Sequence, residues 1–183
     1  MATSTWIIDS THSGIHFSVR HLVVAKVRGH FRAFSGSITL DEQDITQSAV
    51  SANIEAASID TGVEARDNHL RSPDFFDAAH FPTITFRGTR VEQGADQALR
   101  VHGSLSLHGI TREVILETEQ LGIGKDPWGN TKVVFEARTS IDRRDFGLTW
   151  NQSLETGGVL VGEKIEISLE IQAAKALAQT KAA

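Results

Sequence analysis

The sequence predicts an all-β fold: an antiparallel barrel of roughly eight to ten strands with one short helical lid. Three observations carry the prediction. Apolar and polar residues alternate with period 2 along most of the chain, the pattern of half-buried strands. Turn signals such as Asp41-Glu42-Gln43-Asp44, Asp60-Thr61-Gly62 and Asp126-Pro127-Trp128-Gly129-Asn130 recur between these runs. One stretch, Arg66 to Pro82, breaks the alternation and concentrates Phe75, Phe76 and Phe81, three of the nine phenylalanines, among Asp74, Asp77 and His80.

In chain order, Trp6 to Asp9 form a short first strand, and Ile15, Phe17 and Val19 then face away from His16, Ser18 and Arg20. Val27, Gly29, Phe31 and Ala33 continue the apolar face, with a bend or bulge at Gly36 before Ile38 and Leu40. A strand over about 48–59 carries Val50, Ala52, Ile54 and Ala56. A helix follows from about Val63 to Arg71, with Thr61 or Asp60 as N-cap and Ser72-Pro73 as its stop. Ile84 and Phe86 resume the alternation, and Leu99, Val101, Gly103, Leu105 and Leu107 give its cleanest run. Val114, Leu116 and Thr118, then Val133, Phe135, Ala137, Thr139 and Ile141, and finally Ile165, Ile167, Leu169 and Ile171 complete the strands. Residues from Ala173 to Ala183 are Ala/Lys-rich and are expected to be frayed or disordered.

A chain of 183 residues fits a single domain over its whole length. Consecutive antiparallel strands escape sticky edges by closing into a barrel or by packing as two sheets; a single interruption in a sequential meander favours the barrel. No charged residue recurs on the inward face, and Gly29, Gly103, Ala33, Ala52 and Ala137 lie between its larger side chains. That face forms either a dry interdigitated core or an apolar cavity. The natural occupant of a cavity is a hydrocarbon chain, since nothing inside would pair a buried charge. About fifteen carbons at roughly 0.8 kcal/mol per methylene give a gross gain of about 12 kcal/mol.

Other chemistries find little support. The net charge is −5 and no Lys/Arg cluster stands out beyond pairs such as Arg143-Arg144, so neither nucleic acid nor an anionic membrane surface is suggested. There is no cysteine, which removes disulfides and thiol chemistry. No apolar run reaches the roughly 20 residues of a transmembrane helix, and no signal peptide opens the chain, so the expected location is cytoplasmic. His12 and His16 would lie about 13 Å apart on extended chain, too far to chelate together. His102 and His108 share the polar side of their strand with Arg100 and are expected on a solvated outer surface.

His69 and His80, with Asp67, Asp74 and Asp77, could bind metal or perform acid–base work on a lipid-like substrate. The competing reading has these groups capping turns and holding the lid, and it is preferred, because no inward polar group would work with them. No metal, catalytic residue or cofactor is expected. The Asp142-Arg143-Arg144-Asp145 cluster reads as a salt-bridge network at a strand end, or as arginines meeting an anionic head group.

Taken together, several stretches resemble the YceI-like family of polyisoprenoid-binding, lipocalin-like proteins. They include Ser10-Thr11-His12-Ser13, Phe17-Ser18-Val19-Arg20-His21-Leu22, Arg66-Asp67-Asn68-His69-Leu70, Asp74-Phe75-Phe76-Asp77, Phe81-Pro82-Thr83-Ile84-Thr85-Phe86 and Asp145-Phe146-Gly147-Leu148-Thr149-Trp150-Asn151. The resemblance implies an extended eight-stranded antiparallel lipocalin-like barrel with a helical segment at its end, a homodimer, and a long isoprenoid lipid as ligand. With the apolar face, it nominates Phe17, Val19, Phe31, Ile54, Phe86, Leu105, Phe135, Trp150 and Ile167 as ligand-binding, with Leu70, Phe75 and Phe76 closing the mouth and Arg66 and His69 near the head group.

Overall fold

The computed structural model describes residues 3–177. Its strands are β1 (Thr3–Ile8), β2 (Gly14–His21), β3 (Ala25–Phe31), β4 (Phe34–Asp41), β5 (Ala49–Glu55), β6 (Ile59–Asp60), β7 (Thr83–Gln93), β8 (Ala98–Leu107), β9 (Ile110–Lys125), β10 (Thr131–Asp142) and β11 (Val161–Lys175). Among the described residues there is one α-helix, α1 (Glu64–Arg71), between β6 and β7. Pairing runs β1-β4-β5-β7-β8-β9-β10-β11, and β1 returns to β11, closing a ring of eight antiparallel strands.

Eleven strands fit eight positions because three positions are shared end to end. The long β11 takes β1 at its C-terminal end (Ile8 opposite Ala173) and β2 along its N-terminal half (Phe17 opposite Ile167). β3 then pairs with β2, and β6 with β3, beyond the ends of β4 and β5. The breaks fall at Asp9–Ser13, at Arg32-Ala33 and at the short 3-10 turn Ala56–Ser58. The barrel is therefore extended well past its closed ring on the side where α1 sits.

Asp9 shapes the first break. Its carboxylate accepts from the Thr11 amide at 3.1 Å, from His12 Nδ1 at 2.9 Å and from Lys132 Nζ of β10 at 3.0 Å. The His12 and Lys132 hydrogen bonds hold this carboxyl down at about 2. A carboxyl lowered on folding stabilises the protein above its unfolded value, and that contribution is lost as pH falls through the folded one. The melting temperature is thus expected to drop between about pH 4 and pH 2, and Asp9→Asn to flatten that part of the curve; an unchanged acid limb in thermal melts would contradict the assignment.

Alternation buries the expected faces: Leu99, Val101 and Leu107 on β8, and Val133, Phe135 and Ala137 on β10. Gly103 is required on β8, since a Cβ there would lie 2.3 Å from the Phe86 ring. The bend expected at Gly36 lies instead at Arg32-Ala33, and β4 runs through Gly36 in unbroken register opposite Ala52. Three further expectations need correction. His108 is not a solvated strand residue; with Gly109 it forms the β8–β9 turn, at φ values of 52° and 73°, the left-handed pair that a tight hairpin demands. Its Nδ1 meets the Phe146 carbonyl at 3.0 Å and its ring packs on Phe81.

The N-cap of α1 is Val63, without a side-chain cap, rather than Asp60 or Thr61. Both candidates are occupied: Asp60 accepts from the Gly62 amide and pairs with Arg32, while the Thr61 hydroxyl is bound to Asp67. Finally, β11 continues to Lys175 with Ala173 fully buried beside Val133 and Trp6, so the expected frayed tail does not begin at residue 173. Pairing with β1 orders that end, and residues 178–183 lie outside the described range.

Candidate functional site

The barrel is hollow. It encloses a cavity of about 290 Å³, with a wall drawn from every position of the ring. Small side chains leave the space: Ala52 on β5 and Ala137 on β10 line the wall between larger neighbours. Along β11, Ile165, Ile167, Leu169 and Ile171 all face it, a wall of about 20 Å at about 3.3 Å per residue. Among the described residues, only His16, Ser48, Thr118, Thr139 and Arg143 bring polar groups to the lining, and they are scattered over different elements.

Eleven of the nominated residues line this cavity: Phe17, Val19, Phe31, Ile54, Leu70, Phe75, Phe76, Phe86, Leu105, Phe135 and Ile167. Arg66, His69 and Trp150 are not among its lining residues. Arg66 is turned to Thr61, donating from Nε to Oγ1 at 2.7 Å and from Nη2 to the carbonyl at 2.8 Å. The same threonine donates its backbone amide to the buried carboxylate of Asp67 at 2.9 Å. Together these groups fasten the start of α1, which takes Arg66 away from any head group inside the barrel.

The lid is a packed structure. Arg71 donates from Nε to the Ala57 carbonyl at 2.7 Å and from Nη2 to the Ile59 carbonyl at 3.0 Å, tying α1 to the end of the broken β5/β6 position. The Phe76 amide returns to the Leu70 carbonyl, and its ring meets Phe31 edge-on at 5.9 Å between centroids. Phe75 faces the cavity with one side and meets His69 and Trp150 with the other, at 5.1 and 5.3 Å. His69 and Trp150 are themselves 4.7 Å apart, so three rings bolt the lid to the β10–β11 loop.

Trp150 and His69 thereby hold the lid from outside. Packed ring pairs are worth about 0.5–1.5 kcal/mol each. Trp150→Ala removes two, and is expected to speed ligand release by about tenfold or more while equilibrium affinity falls less. Stopped-flow release measurements check this; an unaltered off-rate would remove the bolt.

The histidine–carboxylate group does not assemble. His69 Nε2 pairs with Asp74 at 2.9 Å and His80 Nδ1 with Asp77 at 2.9 Å, while Asp67 serves Thr61. Among the described residues, no three His, Asp or Glu side chains come together in a way that could hold a metal ion.

Arg143 is the residue that sequence reasoning misplaced. It is not part of a salt-bridge network, although its neighbour Arg144 pairs with Asp142 and Glu163. Only 3% exposed, it donates from Nε to Gly162, from Nη1 to Leu148 and Trp150, and from Nη2 to Val161, all backbone carbonyls. Burial pulls its guanidinium below the usual arginine value, opposed by Glu163 and Asp142. The charge thus organises the β10–β11 loop, and brings Leu148 and Val161 to the cavity wall. No periodic signal marks it; the nearest hint is Gly147, whose φ of 74° turns the chain back after Phe146.

A closed eight-stranded barrel with an apolar lumen and a helical lid defines a lipocalin-like architecture. The chain belongs to the YceI-like family, whose domain matches residues 6–173. It is 38% identical to a UPF0312 protein of Staphylococcus aureus over 170 residues, covering 91% of this chain and 96% of that protein. Its fold matches the crystal structure of BcnA from Burkholderia cenocepacia with a TM-score of 0.79 at 20% identity, over 90% of this chain and 98% of the other. It also matches a polyisoprenoid binding domain from Saccharophagus degradans, with a TM-score of 0.69 at 15% identity, over 96% and 100% of the two chains. Among the described residues, no helix is long and apolar enough to cross a membrane.

Proposed function

We propose that this protein binds a long-chain isoprenoid lipid, of the isoprenoid quinone or polyprenyl type, and carries or sequesters it without catalysis. The observation that carries the reading is the lumen, an apolar wall about 20 Å long on β11 alone, at about 3.3 Å per residue, with no cluster of polar groups inside it. Such a wall recognises a chain by area. It has no means of anchoring a polar substrate, whose buried groups would go unpaired. The ligand named for the Saccharophagus degradans domain is of the same chemical kind.

The lid is a stretch of helix and irregular chain beside the cavity, and Leu70, Phe75 and Phe76 on it face the lumen, so they would part to admit the ligand. An enzymatic role for His69 or His80 gains no support from their geometry, since each ring is engaged by its own aspartate. The working state we propose is a cytoplasmic homodimer, which sedimentation and cell fractionation would check. Organic extraction of the purified protein followed by mass spectrometry tests the function. A co-purifying isoprenoid is expected; a lipid-free extract, with no uptake of added isoprenoid quinone or polyprenyl phosphate, would sink the proposal.

A further inference from the structure

The β2–β3 hairpin departs from the rest of the molecule in charge and in the chemistry of its tip. From Gly14 to Leu40 the chain has Arg20, Lys26, Arg28 and Arg32 and no Asp or Glu, although the whole protein carries −5. The outward face of the hairpin pairs Arg20 with Lys26 directly, and Ser18 with Arg28. Like charges placed opposite one another on a strand pair are destabilising. Carboxylates from neighbouring elements answer only part of this charge. Glu166 pairs with Lys26 and Asp60 with Arg32 and His30, while Glu163 is taken by Arg144. Glu155 lies in the β10–β11 loop, and Arg20 and Arg28 have no ion-pair partner among the described residues.

The tip carries Leu22, Val23 and Val24, exposed by 47, 58 and 81%. Leu22 and Val23 sit at φ values of 51° and 69°, where a turn ordinarily takes Asn or Gly and a β-branched residue is strained. Apolar side chains thus occupy positions that backbone preference would assign to small polar ones. The tip is fixed by the Leu22 amide, which donates to the Leu160 carbonyl at 3.0 Å, and half-exposed Val159 precedes that carbonyl. The base of the same hairpin supplies Phe17 and Val19 to the cavity wall.

We infer that the β2–β3 hairpin docks this end of the barrel on an anionic lipid surface, with Arg20 and Arg28 meeting head groups and Leu22, Val23 and Val24 entering the apolar boundary. A cationic face beside an exposed apolar tip is the combination that surface-seated segments use, since charge attracts and buried area retains. The net charge of the chain hides this, because its carboxylates lie mostly on other strands. Docking places the hairpin strand that walls the cavity next to the phase from which an apolar ligand would come.

The test is co-sedimentation of the full chain with vesicles of phosphatidylcholine alone and of phosphatidylcholine mixed with phosphatidylglycerol. Binding to the anionic vesicles is expected, weakening as salt rises. Arg20→Ser combined with Arg28→Ser should weaken it by about thirtyfold, from about 1 kcal/mol per basic residue at such a surface. Val23→Ser with Val24→Ser should weaken it too. Both variants should keep their affinity for isoprenoid quinone, because none of the four residues lines the cavity. No binding of the parent chain to either vesicle, or equal binding by parent and variants, overturns the inference. So does loss of a dimer by the valine variant with vesicle binding unchanged, which would assign the tip to a second copy. A lipid-free extract would remove the proposed function and leave vesicle docking standing, so the two can fail separately.

Discussion

Ala137→Phe is expected to lower affinity for a long isoprenoid quinone by about a hundredfold while the protein stays folded. Ala137 is buried on β10, opposite Thr118 of β9 and Leu169 of β11, and all three line the cavity. A phenyl ring there extends into empty space, so the overpacking cost of about 1–3 kcal/mol for a filled core is largely avoided. The ring blocks the lumen partway along its length. Excluding three or four methylenes from burial, at roughly 0.8 kcal/mol each, forfeits about 3 kcal/mol, which corresponds to the hundredfold loss. Equilibrium dialysis against the quinone checks it, with circular dichroism as the folding control. Unchanged affinity would place the ligand outside the barrel.

Arg143→Met is expected to destabilise the protein by about 4 kcal/mol, because four carbonyls lose a charged donor at a buried site. In a domain of this size each kcal/mol shifts the melting temperature by about 2–4 °C, so a drop of about 12 °C should be seen. Methionine fills much of the volume, which makes the loss chiefly one of hydrogen bonds. Arg143→Lys keeps the charge, but its three rotatable donors cannot serve carbonyls spread from Leu148 to Gly162. It should recover only part of the stability. Full recovery with lysine would mean that charge, rather than the planar fork of donors, holds the loop.

Much of the barrel could be read from local pattern, because a strand with one buried face writes period-2 alternation into its own residues. Leu99 to Leu107 and Ile165 to Ile171 are of this kind, and their inward side chains are the ones found on the cavity wall. The breaks at Asp9–Ser13 and Ala56–Ser58 were not legible as shared positions of one ring. The first looks like an ordinary turn and the second lies inside a run that alternates as one strand over about 48–59; what makes them breaks is the single long partner β11 on one side and the continuation into β6 on the other.

The lid aromatics were legible because Pro73 and the loss of alternation isolate them. What Arg66, His69 and Trp150 do was not. Their partners are a threonine hydroxyl and carbonyl, an aspartate, and rings brought together only by the closed fold. Arg143 shows the same limit more sharply: a charged residue among charged neighbours reads as a salt bridge, whereas its four acceptors are backbone atoms that carry no side-chain signature.

The central claim is that the lumen recognises an apolar chain through buried area. Affinity measured across isoprenoid quinones sharing one ring and differing only in tail length tests it most directly. Each added isoprene unit should strengthen binding by at least about tenfold, from roughly 0.8 kcal/mol per buried carbon less ordering costs, until the cavity is full and the affinity levels off. Affinity that is the same for the shortest and longest tails would contradict the account.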